Sequence, residues 1–189
     1  MSDKDLPLLT PPKIHKRTVI AKSRMFEIET LELEFANGAT RQYERMRGSG
    51  RGAVLVVPVT ETREFLLIRE YAAGTEQYEL GFPKGLIDPG ESALEAGNRE
   101  LQEEVGFAAS ELTSLKQITL APGYFAANMQ LLLAQGLTPS QLEGDEPEPL
   151  VIVKWPIDEW RSLLDWSEFK EARSVTALML AARHLGLWR

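Results

Sequence analysis

The sequence predicts an α/β fold, a mixed sheet flanked by helices on both sides, preceded by a small antiparallel β region. Three observations carry that expectation. Ala53 to Val59 is a continuous apolar run, the mark of a central strand covered on both faces. Strand-like segments alternate with helical ones in mixed order along the rest of the chain. Before them, Asn37-Gly38 stands between two alternating segments, a strong signal for a β-hairpin.

Length places a single main domain at 51–189, with a loose tail at 1–12 and an N-terminal β region at 13–50. No apolar run approaches the roughly 18 residues of a membrane span. Met1 to Pro7 has no apolar core of the secretory kind, so a cytoplasmic location is expected. The absence of cysteine excludes disulfides, a thiol nucleophile and cysteine-ligated zinc. A net charge of −7 argues against long nucleic acid held on a broad basic face. It leaves phosphorylated small molecules open, because a bound cation inverts the local field. His15 and His184, near opposite ends of the chain, read as surface or packing residues.

In order, residues 1–12 hold three of the eleven prolines and no periodicity. From Thr18 the pattern is strand-like. Phe26 and Ile28 alternate with Glu27 and Glu29, then Leu31, Leu33 and Phe35 resume in the opposite phase. Strand side chains alternate with a period of two, so that slip predicts a bulge or bend near Thr30. After the hairpin turn, Arg41, Tyr43, Arg45 and Arg47 share one face. That face reads either as a solvated edge or as a surface for substrate. Gly48-Ser49-Gly50-Arg51-Gly52 is the expected boundary. Beyond it, Phe65 to Ile68 is the expected neighbour of the central strand, ending in Arg69-Glu70-Tyr71, and Gln77 to Leu80 is a short strand. Ser114 to Leu120 and Met129 to Ala134 read as strands around a Pro122-Gly123 turn. Glu143-Gly144-Asp145-Glu146-Pro147-Glu148-Pro149 is an acidic loop leading into a strand, Leu150 to Trp155. Two packing helices, Ile157 to Leu164 and Ser174 to Leu185, close the chain.

The chemistry concentrates between Gly85 and Phe107. Ser92 is an N-cap, Glu95 completes a capping box, and Gly106 supplies the stop, which predicts a helix over 93–105. Glu100, Glu103 and Glu104 stand at i, i+3 and i+4 on one face, while Leu94, Leu101 and Val105 are expected to bury against the sheet. Like charges so spaced destabilise a helix by roughly 0.2–0.5 kcal/mol per pair, which a divalent cation would offset. Hard oxygen donors on a rigid element are the usual Mg²⁺ arrangement. Arg99 can pair with one of the carboxylates and keep it ionised. Gly85 and Gly90 bracket Leu86-Ile87-Asp88-Pro89, where the backbone is expected to turn tightly beside metal and phosphate.

The whole pattern, Gly85-x5-Glu91-x7-Arg99-Glu100-Leu101-x-Glu103-Glu104-x-Gly106-Phe107, resembles the Nudix box. The chain is thereby similar to the Nudix hydrolase family, and Pro122, sixteen residues after Gly106, resembles the proline of its ADP-ribose-pyrophosphatase-like subgroup. The stretches Tyr43 to Arg47, Phe82 to Glu91 and Glu143 to Pro149 look most like bacterial members acting on ADP compounds. The resemblance implies a Nudix-type α/β/α sandwich that hydrolyses the pyrophosphate bond of ADP-linked compounds and releases AMP, with Mg²⁺ or Mn²⁺. It implies Glu100 and Glu104 as metal ligands, Glu103 as third ligand or base, Arg99 beside them, and Gly85, Gly90 and Glu91 in the phosphate loop. A loop carboxylate completes such sites, which points to Glu148 first and Glu146 next, against the plain reading of a solvated acidic turn. Glu44, Arg45 and Arg69 are the implied adenosine contacts, and the N-terminal strands resemble those exchanged within family homodimers.

Two departures bear on substrate. ADP-ribose-specific relatives carry a second arginine where this chain has Ala72 and Ala73, and an acidic residue where Tyr124 to Asn128 has none. Both favour an enzyme taking several ADP compounds, such as ADP-ribose, NADH and diadenosine triphosphate. The alternatives are a strict ADP-ribose or nucleotide-sugar pyrophosphatase, and a non-catalytic module that binds ADP-ribose. The complete Arg-Glu-x-x-Glu-Glu run weighs against the last.

Overall fold

The computed structural model of the chain describes residues 9–48 and 50–188. Residues 1–8 of the expected tail and Ser49 of the expected boundary lie outside the described residues, and residues 9–12 carry no regular structure. The chain divides into two compact units, Met1–Gly50 with Thr119–Ala127, and Arg51–Ile118 with Asn128–Arg189.

The first unit is an antiparallel sheet in the order β1 (Lys13–Lys22), β2 (Glu27–Glu34), β3 (Thr40–Arg47). The Asn37-Gly38 turn joins β2 and β3, with the Ala39 N–H donating to Asn37 Oδ1 at 3.1 Å. The irregularity expected near Thr30 lies in the facing strand and not in β2 itself: Val19 and Ala21 of β1 oppose Glu29 and Ile28, next to the Thr18–Thr30 pair. β2 runs in regular register with β3, and the irregularities fall in β1, between Ile14 and Lys16 and between Val19 and Ala21. The slip in the apolar pattern has another cause: Glu29 is buried on the central strand, its charge met by Arg45 at 2.7 Å. Arg47 likewise faces its cross-strand partner Glu27 at 2.8 Å, so carboxylates of β2 neutralise much of the arginine face.

The second unit holds two sheets. One is mixed, in the order β7 (Lys84–Leu86), β4 (Ala53–Pro58), β9 (Ala127–Pro139), β8 (Phe107–Leu120), with β4 and β9 parallel and β4 and β7 antiparallel. The other is antiparallel, in the order β10 (Val151–Pro156), β5 (Glu64–Ala72), β6 (Gln77–Gly81). The expectation that Phe65 to Ile68 would flank the central strand is therefore corrected. Both edges of β4 are taken by the distant β7 and β9, and only an isolated bridge, Val59 to Phe65, links β4's end to β5.

Of the helices, α1 (Ala93–Val105) spans the predicted range. A single 3₁₀ turn, Ile157–Glu159, leads into the short α2 (Trp160–Leu164), and α3 is Ala172–His184. Ala96, Leu101 and Val105 of α1 join Val54, Val56, Leu66, Ile68, Leu132 and Ala134 in one buried cluster. Strand alternation leaves Leu55 and Val57 for the opposite face of β4, against which α3 also packs, burying Ala177, Leu178, Ala181 and Ala182. Leu94 departs from expectation at 44% exposed. The buried stripe of α1 runs instead through Ala96, Gly97, Glu100, Leu101, Glu104 and Val105. Two of the three carboxylates thus lie on the packed side, not on a separate outer face. Among the described residues, no helix is long and apolar enough to cross a membrane.

Candidate active site

The segment leading into α1 is partly a strand where a loop was expected. β7 pairs Leu55 with Lys84, Val54 with Gly85 and Ala53 with Leu86, so the chain is pinned to the central strand until it turns. The turn closes with the Asp88 N–H donating to Glu91 Oε2 at 3.0 Å, and Gly90 adopts a φ of 93°. Gly85 has a different reason to be glycine. A Cβ there would run into the carboxylate of Glu100, so the residue keeps space for that side chain. The capping box forms as predicted: Glu95 N–H donates to Ser92 Oγ at 3.2 Å and Ser92 N–H to Glu95 Oε2 at 2.8 Å.

Arg99 ties the box together. Nε donates to Glu91 Oε1 at 2.9 Å, Nη1 to Glu100 Oε1 at 2.7 Å and to Glu103 Oε2 at 2.8 Å, and Nη2 to the Leu86 carbonyl at 2.9 Å. The expected single pairing is thus a fork spanning three carboxylates and the loop backbone. Its hydrogen bond holds Glu91 below the usual glutamate range, and the Glu91 contact leads those that push Arg99's own pKa far up.

Glu100 and Glu104 are each 8% exposed. Burial raises the Glu100 pKa against the opposing pull of Arg99. Burial also pushes Glu104 up to about 8, although Lys84 lies nearby and its backbone N–H donates to Glu104 Oε2 at 2.9 Å. A desolvated pair of hard oxygen donors is what a dication stabilises, so the residues present fit Mg²⁺ or Mn²⁺. As the side chains stand, no three acidic or other ligating groups among the described residues converge on an ion-sized point. Arg99 Nη1 instead lies between Glu100 and Glu103.

Beside the helix, Arg69, Tyr71, Tyr78, Glu146 and Glu148 line a cavity of about 320 Å³. The acidic loop also faces a second hollow, with Glu103 and Glu104 on the opposite wall. Arg69 is held by Glu168 at 2.9 Å. Glu148 accepts a hydrogen bond from the Tyr78 hydroxyl, which raises the Tyr78 pKa. Glu146 is half-buried, while its acidic neighbours in the loop are exposed. The remaining two predicted residues belong to the N-terminal unit: Glu44 is exposed on β3, and Arg45 is paired with Glu29.

Sequence reasoning missed Tyr78 and Lys84. Tyr78 meets Glu148 across seventy residues of chain, a pairing with no local signal. Lys84, paired through Nζ with Glu70, had a faint one in its place immediately before Gly85.

The chain matches the NUDIX domain over residues 50–184 and the NudE-type Nudix hydrolase N-terminal domain over residues 12–45. It is 54% identical over 177 residues to the ADP compounds hydrolase NudE of Escherichia coli (strain K12), covering 94% of this chain and 95% of that protein. The ADP-ribose pyrophosphatase of Bacillus subtilis (strain 168) is 25% identical over 166 residues, covering 84% of this chain and 89% of that one. A crystal structure of ADP compounds hydrolase aligns with a TM-score of 0.90 at 52% identity, covering 96% of this chain and 97% of that chain. A domain match of that length, on top of the carboxylate helix already described, leaves one assignment: the chain belongs to the Nudix hydrolase family and is one of its pyrophosphohydrolases.

Proposed function

We propose that the chain hydrolyses the pyrophosphate bond of several ADP-linked small molecules, ADP-ribose, NADH and diadenosine triphosphate among them, and releases AMP. The observation that carries this reading is the buried pair Glu100 and Glu104, the first packed against Gly85 and the second held by the Lys84 N–H, with the acidic loop lining both the hollow beside Glu104 and the cavity edged by Arg69. The relative of similar length from Escherichia coli, named for ADP compounds, supports the breadth of substrate.

In this reading Glu100 and Glu104 hold Mg²⁺ or Mn²⁺, with Glu103 as third ligand or base. An ion held by these carboxylates would supply Lewis-acid chemistry, offsetting charge on the phosphate oxygens and lowering the pKa of a nearby water. The chain's own residues do the rest. Arg99 fixes the rotamers of Glu100 and Glu103 through its two short Nη1 bonds, and the Lys84 N–H fixes Glu104. The Arg69 guanidinium, already placed at the cavity wall, meets the phosphate chain or the adenosine. A loop carboxylate, Glu148 or Glu146, accepts the proton of the water that attacks phosphorus. Gly85, Gly90 and Glu91 shape the phosphate loop, and Glu44 and Arg45 contribute to adenosine recognition. The enzyme acts in the cytoplasm as a homodimer that pairs through its N-terminal sheet.

The test is a substrate panel with products identified: ADP-ribose, NADH, diadenosine triphosphate, ADP-glucose and a capped dinucleotide. Wild-type protein is expected to release AMP from the first three in a Mg²⁺- or Mn²⁺-dependent manner. Glu104→Gln should lower turnover on the order of 10²-fold or more, as removal of a charge-stabilising group does. Near wild-type turnover in that variant would sink the glutamate assignment. Cleavage of ADP-ribose alone would replace the broad reading with a strict ADP-ribose pyrophosphatase.

A further inference from the structure

The acidic loop is anchored at both ends and nearly free between. At its start, Ser140 N–H donates to the Gly106 carbonyl at 3.0 Å, Leu142 N–H to the Gln102 carbonyl at 3.3 Å, and Gln141 Nε2 to the Glu103 carbonyl at 3.1 Å. All three bonds lie on the last turn of α1 or its cap. At its end the chain enters β10, with Val151 opposite Arg69 on β5. Among the described residues, the one hydrogen bond made by residues 143–149 is that of Glu148 with the Tyr78 hydroxyl. The Tyr78 ring is itself braced edge-on by Tyr71, with centroids 5.8 Å apart.

The two loop glutamates are thereby sorted. Glu148 is turned to β6, at the Tyr78 side of the cavity. Glu146 is turned to the helix. A Cβ added at Gly144 would touch the Glu146 carboxylate and stand 3.7 Å from Glu103 Cβ, so the Glu146 carboxylate and Glu103 flank one point. We infer that Tyr78 is a positioning residue: by holding Glu148 on β6, its hydroxyl presents Glu146 as the working loop carboxylate to Glu100, Glu103 and Glu104. This rests on the hydrolytic reading above and deepens it, because it chooses between two carboxylates which that reading leaves open. A hydrogen bond to an ionised acceptor is among the stronger kinds, enough to bias a short loop with no other tie. In this role Tyr78 takes no step of the reaction; its effect passes through the loop.

The experiment uses full-length protein and ADP-ribose as substrate. Tyr78→Phe keeps the braced ring and removes only the hydroxyl. It is expected to lower kcat about tenfold, the order for one lost hydrogen bond to a charged group, with KM within about twofold. Glu148→Ala should match it, and the double variant should be no worse than either single, since both remove the same tie. Glu146→Gln should cost at least tenfold more than either. A glutamate-specific endoprotease should cut after Glu143, the loop glutamate that no proline follows, several-fold faster in Tyr78→Phe than in wild type, at an unchanged melting temperature. Wild-type kcat and cleavage rate in Tyr78→Phe would overturn the inference, as would additive losses in the double variant or a larger loss in Glu148→Ala than in Glu146→Gln. Glu104→Gln runs alongside. If it is inactive while Tyr78→Phe is silent, only the loop inference fails; if it keeps full activity, the hydrolytic reading falls and takes this inference with it.

Discussion

The carboxylate of Glu100 occupies the space where a side chain on Gly85 would begin. Neither partner can yield cheaply. Gly85 is paired to Val54 within β7, and Glu100 is buried and held by Arg99 at 2.7 Å. Gly85→Ala is therefore expected to displace Glu100 rather than the backbone. Overpacking of this kind destabilises by about 1–3 kcal/mol, and a shift of roughly 1 Å at a reacting centre lowers turnover on the order of 10²-fold. Steady-state kinetics on ADP-ribose beside a thermal melt check this; a kcat within twofold of wild type would show that Glu100 has room to spare. The sequence pointed to Gly85 for a tight turn, a property of its own backbone. Its actual constraint comes from a residue fifteen positions away, which no local pattern encodes.

At the scale of elements, what was legible is what is coded locally. The bounds of α1 follow from Ser92, Glu95 and Gly106, and all three act within a turn of the ends they define. Sheet partners were not legible, because β4 takes its neighbours from β7 and β9, far along the chain, while the adjacent β5 goes elsewhere. Helix α3 shows how a correct residue type can mislead. Ser174 reads as the start, but it is buried, and its Oγ accepts from the Phe82 N–H at 3.2 Å. The cap is Glu171, whose carboxylate accepts from the Arg173 N–H at 3.0 Å and the Ser174 N–H at 2.9 Å. Replacing it with alanine should cost about 1 kcal/mol of stability. Burial alone would raise the Glu171 pKa, but the Arg173 and Ser174 bonds outweigh it and hold the group below its ordinary value. A carboxylate depressed in the folded state contributes stability that is whole above the unfolded value of about 4.3 and fades as pH falls through the folded one. The melting difference between wild type and Glu171→Gln should accordingly be constant from about pH 7 to 5 and shrink below about pH 4. A difference that persists undiminished in acid would assign the effect to packing instead of charge.

For the whole molecule, the first unit raises a question of burial that its own residues do not answer. All ten residues of β1 are exposed, Ile14, Val19 and Ile20 among them, while the apolar burial of this sheet rests on Leu31 and Leu33 of the central strand. A three-stranded sheet with one strand so uncovered has little apolar burial to set against its ordering entropy. Exposed apolar side chains gathered on an edge strand also invite pairing. A second copy is the partner that the proposed homodimer supplies, and it predicts a sedimentation mass of about twice 21.2 kDa. Charge placed on the exposed strand should undo that association. The double variant Val19→Asp, Ile20→Lys is expected to sediment as a monomer at micromolar concentration and to hydrolyse ADP-ribose at least tenfold more slowly, the loss that follows from the adenosine contacts proposed for Glu44 and Arg45. Far-ultraviolet circular dichroism on the same sample separates dissociation from unfolding. A wild-type protein that sediments at 21.2 kDa would remove the dimer, and a monomeric variant of full activity would remove the part assigned to it in catalysis.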